Sequence, residues 1–295
     1  MRFVTFEHGG KVRAGVLAPG GVNDLAHCAM QPALSGMPAD VASFVQGGLD
    51  RVAIAIAGHG LRDEACLPMV AVKLLAPIAR PCRIFGIAHN FHCALAERAM
   101  PLPKEPVLFM KQPATIVGPG DAIVLPLGIG GVTYEAELAA VIGRGGNDIA
   151  EADALSHVAG YAAFNDISAS DMIRRDGRFD RGKNLPTFGP LGPWLATADE
   201  VPDPQAVRIS LTMDGKLLQD GTTARMLFGV AQLIAYLSRS TRLEPGDIIA
   251  TGTPAGAASA RKPPTWILPG ATLKVSVDGL GTLTNPVVEG PPLDG

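Results

Sequence analysis

A chain of 295 residues is long enough to bury a large core, as one domain or as two unequal ones. A net charge of −3 with only 18% charged residues lacks the basic excess of a nucleic-acid binder, and no run of about 18 uninterrupted apolar residues is present to span a membrane. The 47% hydrophobic content, with 35 Gly and 25 Pro, predicts a compact soluble protein of short strands and many turns rather than long helices. Cys28, Cys66, Cys82 and Cys93 form no CxxC pair and read as reduced thiols of a cytoplasmic protein. The opening "MRFVTFEHGG" carries Glu7 and His8 where a signal peptide needs an unbroken apolar run.

In chain order, "RFVTFEHGGKVRAGVL" alternates on both sides of Gly9-Gly10 and predicts a hairpin. "DVASFVQGG" and "LDRVAIAIAGHG" predict short helices. Pro77 and Pro81 then mark a linker ahead of an apolar strand from Ile84 to Ile87, so residues 1–78 are expected to form a small N-terminal α/β domain and 79–295 a second, larger one. From there the chain is mostly strand-like: "AIVLP", "ELAAVIG", "GYAAFNDIS", "VRISLTMDGKLLQDG", "GDIIATGTPAG" and "ATLKVSVDGLGTLTNPVV" are short runs separated by turn residues. Asp214-Gly215 and Asp278-Gly279 are hairpin turns with alternating flanks. One helix breaks the pattern, where "RMLFGVAQLIAYLSR" places Met226, Val230, Leu233, Ile234 and Leu237 on one face. The fold class expected is α+β and β-rich.

The chemistry begins at "TYEAELAAVIG". Residues two apart in a strand share a face, so Glu135 and Glu137 aim two carboxylates at one place at the mouth of an apolar run. Two such charges turned toward an interior need a positive partner, and a divalent cation is the simplest. Asp166 supplies a third acid after the apolar run Tyr161 to Phe164. Lys183, in a Gly/Pro-rich stretch, is placed to hold a substrate carboxylate or an oxyanion.

Taken together, "YEAELAAVIG", "FNDISASDM", "RGKNLPTFGPLGPWL" and "LEPGDIIATGTPAG" resemble the ordered motifs of the fumarylacetoacetate hydrolase family over roughly residues 80 to 290. The resemblance implies a mixed β-sandwich or roll for the catalytic domain, a Mg2+ or Mn2+ ion, a homodimer, and small 2-oxo acid substrates bearing a second carbonyl. Family members hydrolyse acylpyruvates, decarboxylate oxaloacetate-like acids or isomerise related dienoates. By the motif match, Glu135, Glu137 and Asp166 stand at the family's metal ligands. Lys183 stands at its substrate-side lysine, and Thr253 in a loop lining its substrate pocket.

The resemblance departs from the family in two places. Hydrolytic members carry Asn-Tyr-x-x-His-x-x-Glu on a short helix, whose His and Glu activate water. Aligned without gaps, Asn90 and Phe91 take the first two positions and Glu97 the last, while the His position falls on Ala94. His92 and His89 lie nearby as substitutes; a rival register puts His92 at the His position and Leu95 at the Glu. The preferred register keeps Asn90 as a substrate contact and Glu97 as the base, with His92 beside it. Second, many members have an arginine four residues after the aspartate and a glutamine three further on; here these are Ser170 and Ile173, followed by Arg174 and Arg175. The expected function is metal-dependent hydrolysis of a C–C bond in a 2,4-dioxo acid, releasing pyruvate. The alternatives are decarboxylation, dienoate isomerisation, or a catalytically silent protein that binds a metal and a 2-oxo acid.

Overall fold

The computed structural model describes residues 1–34 and 40–293. It is a mixed α/β, strand-rich fold in which, among the described residues, twelve strands share one sheet and five form a second. The strand Ala136–Ile142 lies near the middle of the large sheet and is buried at all seven positions. That explains its continuous apolar run, because both of its faces are covered. Ala136, Leu138, Ala140 and Ile142 join a core with Ile209, Leu211, Leu273 and Val275 of the smaller sheet and with Leu233 and Ile234 of the helix Val230–Ser240. Ala139 and Val141, of opposite parity, face a second core with Phe44 and Val45 of the helix Val41–Gly47 and Val52 and Ile56 of the helix Leu49–His59.

The N-terminal hairpin forms as expected, Arg2–His8 pairing with Lys11–Ala18 about the glycine turn. Its first strand also pairs antiparallel with Gly189–Thr197, so strands of the first 78 residues continue the large sheet. Asp40 caps the helix Val41–Gly47 by accepting from the Ser43 N–H at 2.9 Å. The Arg208–Met213/Lys216–Thr222 hairpin turns at Asp214-Gly215, both at positive φ. The long helix begins at Val230 and not at Met226. The preceding backbone is drawn off elsewhere: the Leu227 and Phe228 N–H groups donate to the main-chain oxygen and to Oδ1 of Asn90, at 2.8 and 3.0 Å. Among the described residues no single helix is long and apolar enough to cross a bilayer, and the four cysteines are free.

Register decides where the chemistry goes. Ala136 pairs with Asn165 and Glu137 with Phe164, so Glu135 stands opposite Asp166, whose N–H donates to Glu135 O at 2.9 Å. Ile248–Ala250 runs antiparallel to Ala136–Ile142 and parallel to Ile84–Ala88. Residues 251–253 and 89–91 therefore emerge at the same end of the sheet as all three acids. The central strands close up tightly enough that a Cβ on Gly160 would stand 2.1 Å from the Ala196 carbonyl oxygen.

Gly160→Ala is thus expected to force Val158–Asn165 away from Gly189–Thr197 and to cost about 1–3 kcal/mol. Urea unfolding should show a lower midpoint at unchanged slope; an unshifted midpoint would mean that the two strands separate without cost.

Candidate metal and substrate site

Glu135, Glu137 and Asp166 converge, with one carboxylate oxygen from each lying within 4.8 Å of the others. Glu137 and Asp166 are buried and Glu135 is partly so. Two lysines meet them. Lys183 Nζ lies 2.7 Å from Glu135 Oε2 and also donates to Asp166 Oδ2. Lys111 Nζ lies 2.8 Å from Asp166 Oδ1, and it also donates to the Lys183 carbonyl oxygen. Lys111 was not singled out from sequence. The signal was present in "VLFMK", where Phe109 and Lys111 share the buried face of the strand Val107–Lys111.

These contacts set the electrostatics. Burial alone would raise the Asp166 carboxyl, but Lys111 and Lys183 outweigh it and hold the group below its ordinary range. Burial likewise opposes charge on Lys183, and Asp166 and Glu135 overcome it, raising the ammonium above its ordinary value. Lys111 is lowered, chiefly by burial. Glu137 has no such relief. Burial, then Asp166 and Glu135, push it well up; besides Lys183 at longer range, its support is the Gly252 N–H, which donates to Oε2 at 2.9 Å. Gly252 sits at φ +92°, where a Cβ would be 2.9 Å from both Asn90 Cβ and Ile87 O, so only glycine brings this N–H to the carboxylate. A buried, unpaired carboxylate beside two further acids is the donor set a hard divalent cation takes, and the residues fit one.

The acids open onto a cavity of about 480 Å3. Glu135, Glu137, Lys183 and Thr253 line it, together with His89, Ala94, Arg98, Ser170, Arg174 and Phe179. Thr253 Oγ1 donates to Ala136 O at 2.8 Å and accepts from Gln219 Nε2 at 2.8 Å. Gln219, whose Oε1 accepts the Ala136 N–H, ties the smaller sheet to this loop; nothing in its hairpin sequence marks it.

The structure distributes the remaining sequence-assigned residues differently. Asn90 is buried and spent on the scaffold: Nδ2 donates to Phe228 O and Thr251 O, and Oδ1 accepts from Phe228. Glu97, at the end of the helix His92–Glu97, is exposed and accepts the Gly256 N–H at 2.9 Å. His92 is exposed, and neither it nor Glu97 lines the cavity. Ala94 does, and so does His89, at φ +60° with its ring 6.4 Å from that of Phe179. Burial first, and then Arg98, lower the His89 imidazole against the pull of Glu135. Ser170 and Arg174 also line the cavity, whereas Arg175 does not.

Residues 83–288 match the family model described as fumarylacetoacetate (FAA) hydrolase, C-terminal. A Burkholderia ambifaria protein described as a hydrolase is 42% identical over 286 residues, covering 95% of this chain and 96% of its own. Among solved structures, fumarylacetoacetate hydrolase from Exiguobacterium antarcticum is similar at TM-score 0.84 and 33% identity, covering 98% and 100% of the two chains. Maleylpyruvate hydrolase from Sphingobium sp. SYK-6, in complex with manganese(II) and pyruvate, is similar at 0.77 and 28%, with the same coverage.

Two outcomes are expected of the acid cluster. An acid raised by folding stays protonated until higher pH than in the unfolded chain. Above about pH 4.3, the unfolded value, Glu137 thus withdraws stability from the metal-free protein as pH rises. Glu137→Gln should accordingly raise the melting temperature in chelator at pH 7. With Mn2+ at about 100-fold its Kd the unsubstituted protein should gain roughly 2.7 kcal/mol, and the variant clearly less. Equal Mn2+ increments in the two proteins would remove Glu137 from the ligand set. Lys111→Met should strip Asp166 of a buried partner and cost about 3–5 kcal/mol in urea unfolding.

Proposed function

Because the chain is an enzyme of the fumarylacetoacetate hydrolase family, we propose that it hydrolyses a C–C bond in a 2,4-dioxo acid, an acylpyruvate-type substrate, and releases pyruvate. The observation that carries this reading is the triad Glu135, Glu137 and Asp166 with Lys183, set beside a cavity of about 480 Å3. The triad would hold Mg2+ or Mn2+, and such an ion supplies Lewis-acid stabilisation of the negative charge that builds on the 2-oxo acid as the bond breaks.

The protein's own groups divide the rest of the work. Lys183, kept charged by Glu135 and Asp166, brings a fixed positive charge to the carboxylate end of the substrate. Thr253, its hydroxyl proton committed to Ala136 O, shapes the wall beside it. Water adds to the 4-carbonyl carbon, the C3–C4 bond breaks, and its electron pair remains with the pyruvate fragment until C3 takes a proton. A base must accept the proton of that water. His89 is the imidazole that lines the cavity, and its lowered basicity keeps it neutral at pH 7. Glu97 and His92 stay in this reading as groups of the adjoining helix, reaching the cavity only if the helix shifts. We take the enzyme to be a cytoplasmic homodimer; exposed Leu108 and Met110 on the sheet-edge strand Val107–Lys111 support an interface there.

One observation favours a second reading. Ala94 lines the cavity where hydrolytic relatives would carry histidine, and Glu97 is engaged by Gly256. Decarboxylation or isomerisation of a related 2-oxo acid needs no attacking water, so a wall without the dyad suffices for it.

Supplying acylpyruvates and oxaloacetate with Mg2+ or Mn2+, and following pyruvate and carbon dioxide separately, decides between the two. For hydrolysis, His89→Gln should lower the rate by about 10²–10⁴-fold with Mn2+ binding intact, and the acidic limb of the pH profile should lie below about pH 6.5 and vanish in the variant. Ala94→His should raise hydrolysis. Turnover of oxaloacetate alone, indifferent to His89→Gln, would establish the decarboxylase, and metal binding with no turnover the silent binder.

A further inference from the structure

Arg98 is the cation of the cavity that no side chain answers. It follows the last turn of the helix His92–Glu97, is partly buried, and lines the cavity. Among the described residues its guanidinium makes no hydrogen bond and no ion pair. The other cavity cations are committed: Lys183 to Glu135 and Asp166, and Arg174 to Asp171 at 2.8 Å. The acids lining the cavity are Glu135, which is paired with Lys183, and Glu137, which belongs to the acid triad. His89 is within the electrostatic reach of Arg98 as well as of Glu135 and Lys183. Ser170 and Ile173 add no charge to the wall. A guanidinium on the wall of the cavity with no internal anion is poised for a two-pronged contact with a carboxylate brought in by a ligand.

We propose that Arg98 receives a carboxylate at the far end of the substrate, so that the enzyme selects 2-oxo acids carrying a second acid group over those whose chain ends in methyl. This rests on the reading of the triad end as the 2-oxo acid site. Arg98 is a specificity residue: it acts on the end of the molecule remote from the bond that breaks, and its contact is lost when that end is uncharged.

The test uses two unreactive probes of equal carbon number, 2-oxoadipate and 2-oxohexanoate, titrated calorimetrically into the full chain saturated with Mn2+. The unaltered protein should bind 2-oxoadipate about 10- to 100-fold more tightly. In Arg98→Met that ratio should collapse to about one, and Arg98→Lys should keep part of it. Should Arg98→Met fail to fold, Arg98→Gln takes its place, since the side chain sits at a partly exposed helix end. A ratio near one in the unaltered protein, a ratio that survives loss of Arg98, or a ratio abolished by Arg174→Met instead would each overturn the proposal. If neither acid binds although Mn2+ does, the 2-oxo acid reading and this proposal fall together. If the ratio behaves as expected but no dioxo acid is cleaved, the reaction reading fails and the carboxylate anchor stands.

Discussion

Three carboxylates set at the end of a buried pair of strands dominate this molecule, because an ion removed from water costs several kcal/mol unless an opposite charge meets it. Lys183 and Lys111 meet two of the three. Lys111 also grips the backbone of Lys183, so one buried ammonium holds the other in place. The unbalanced remainder falls on Glu137, which is why that carboxyl alone is driven well up. The site is thus held in a charge state that a divalent cation completes, and the surrounding fold is arranged to tolerate it.

That arrangement depends on backbone ends coinciding. The strands Ile84–Ala88 and Ile248–Ala250 run parallel, and both leave the sheet where Ala136–Ile142 begins. Their following loops are fastened to each other by Asn90, which bonds Phe228 and Thr251 and also supplies the main-chain oxygen for Leu227. The same fastening presses Asn90 against Gly252, and the absence of a side chain there lets its N–H reach Glu137. A residue with no contact to the cavity therefore sets the geometry of one that lines it.

The cavity wall carries both signs: Glu135, Glu137 and Lys183 line it together with His89, Arg98, Arg174 and Phe179. Phe179 packs on both His89 and Phe109, and Phe109 in turn lies under the Lys183 ammonium at 4.8 Å. Aromatic rings thus link His89 to the Lys183 ammonium through Phe179 and Phe109.

Much of this was legible in the chain itself. Alternation and turn residues marked the hairpins, and the two-residue spacing of Glu135 and Glu137 at the head of an apolar run, followed by Asp166 and Lys183, marked the acid site. Local signals carry that information because strand periodicity and turn chemistry act over a few residues. Which side chains share the cavity was decided by long-range packing. Nothing within "GIAHNFHCALAERA" tells that His89 turns inward at positive φ while His92 faces solvent, or that Asn90 is consumed by residues about 140 and 160 positions away. Lys111 and Arg98 take their places only through pairing and helix position, which bring one against Asp166 and leave the other lining the cavity. The chemical repertoire is set by the residues alone, since a carboxylate or a lysine is what it is wherever it lies; the tertiary structure decided which of those groups is buried, paired or left free, because burial and pairing are relations between distant segments.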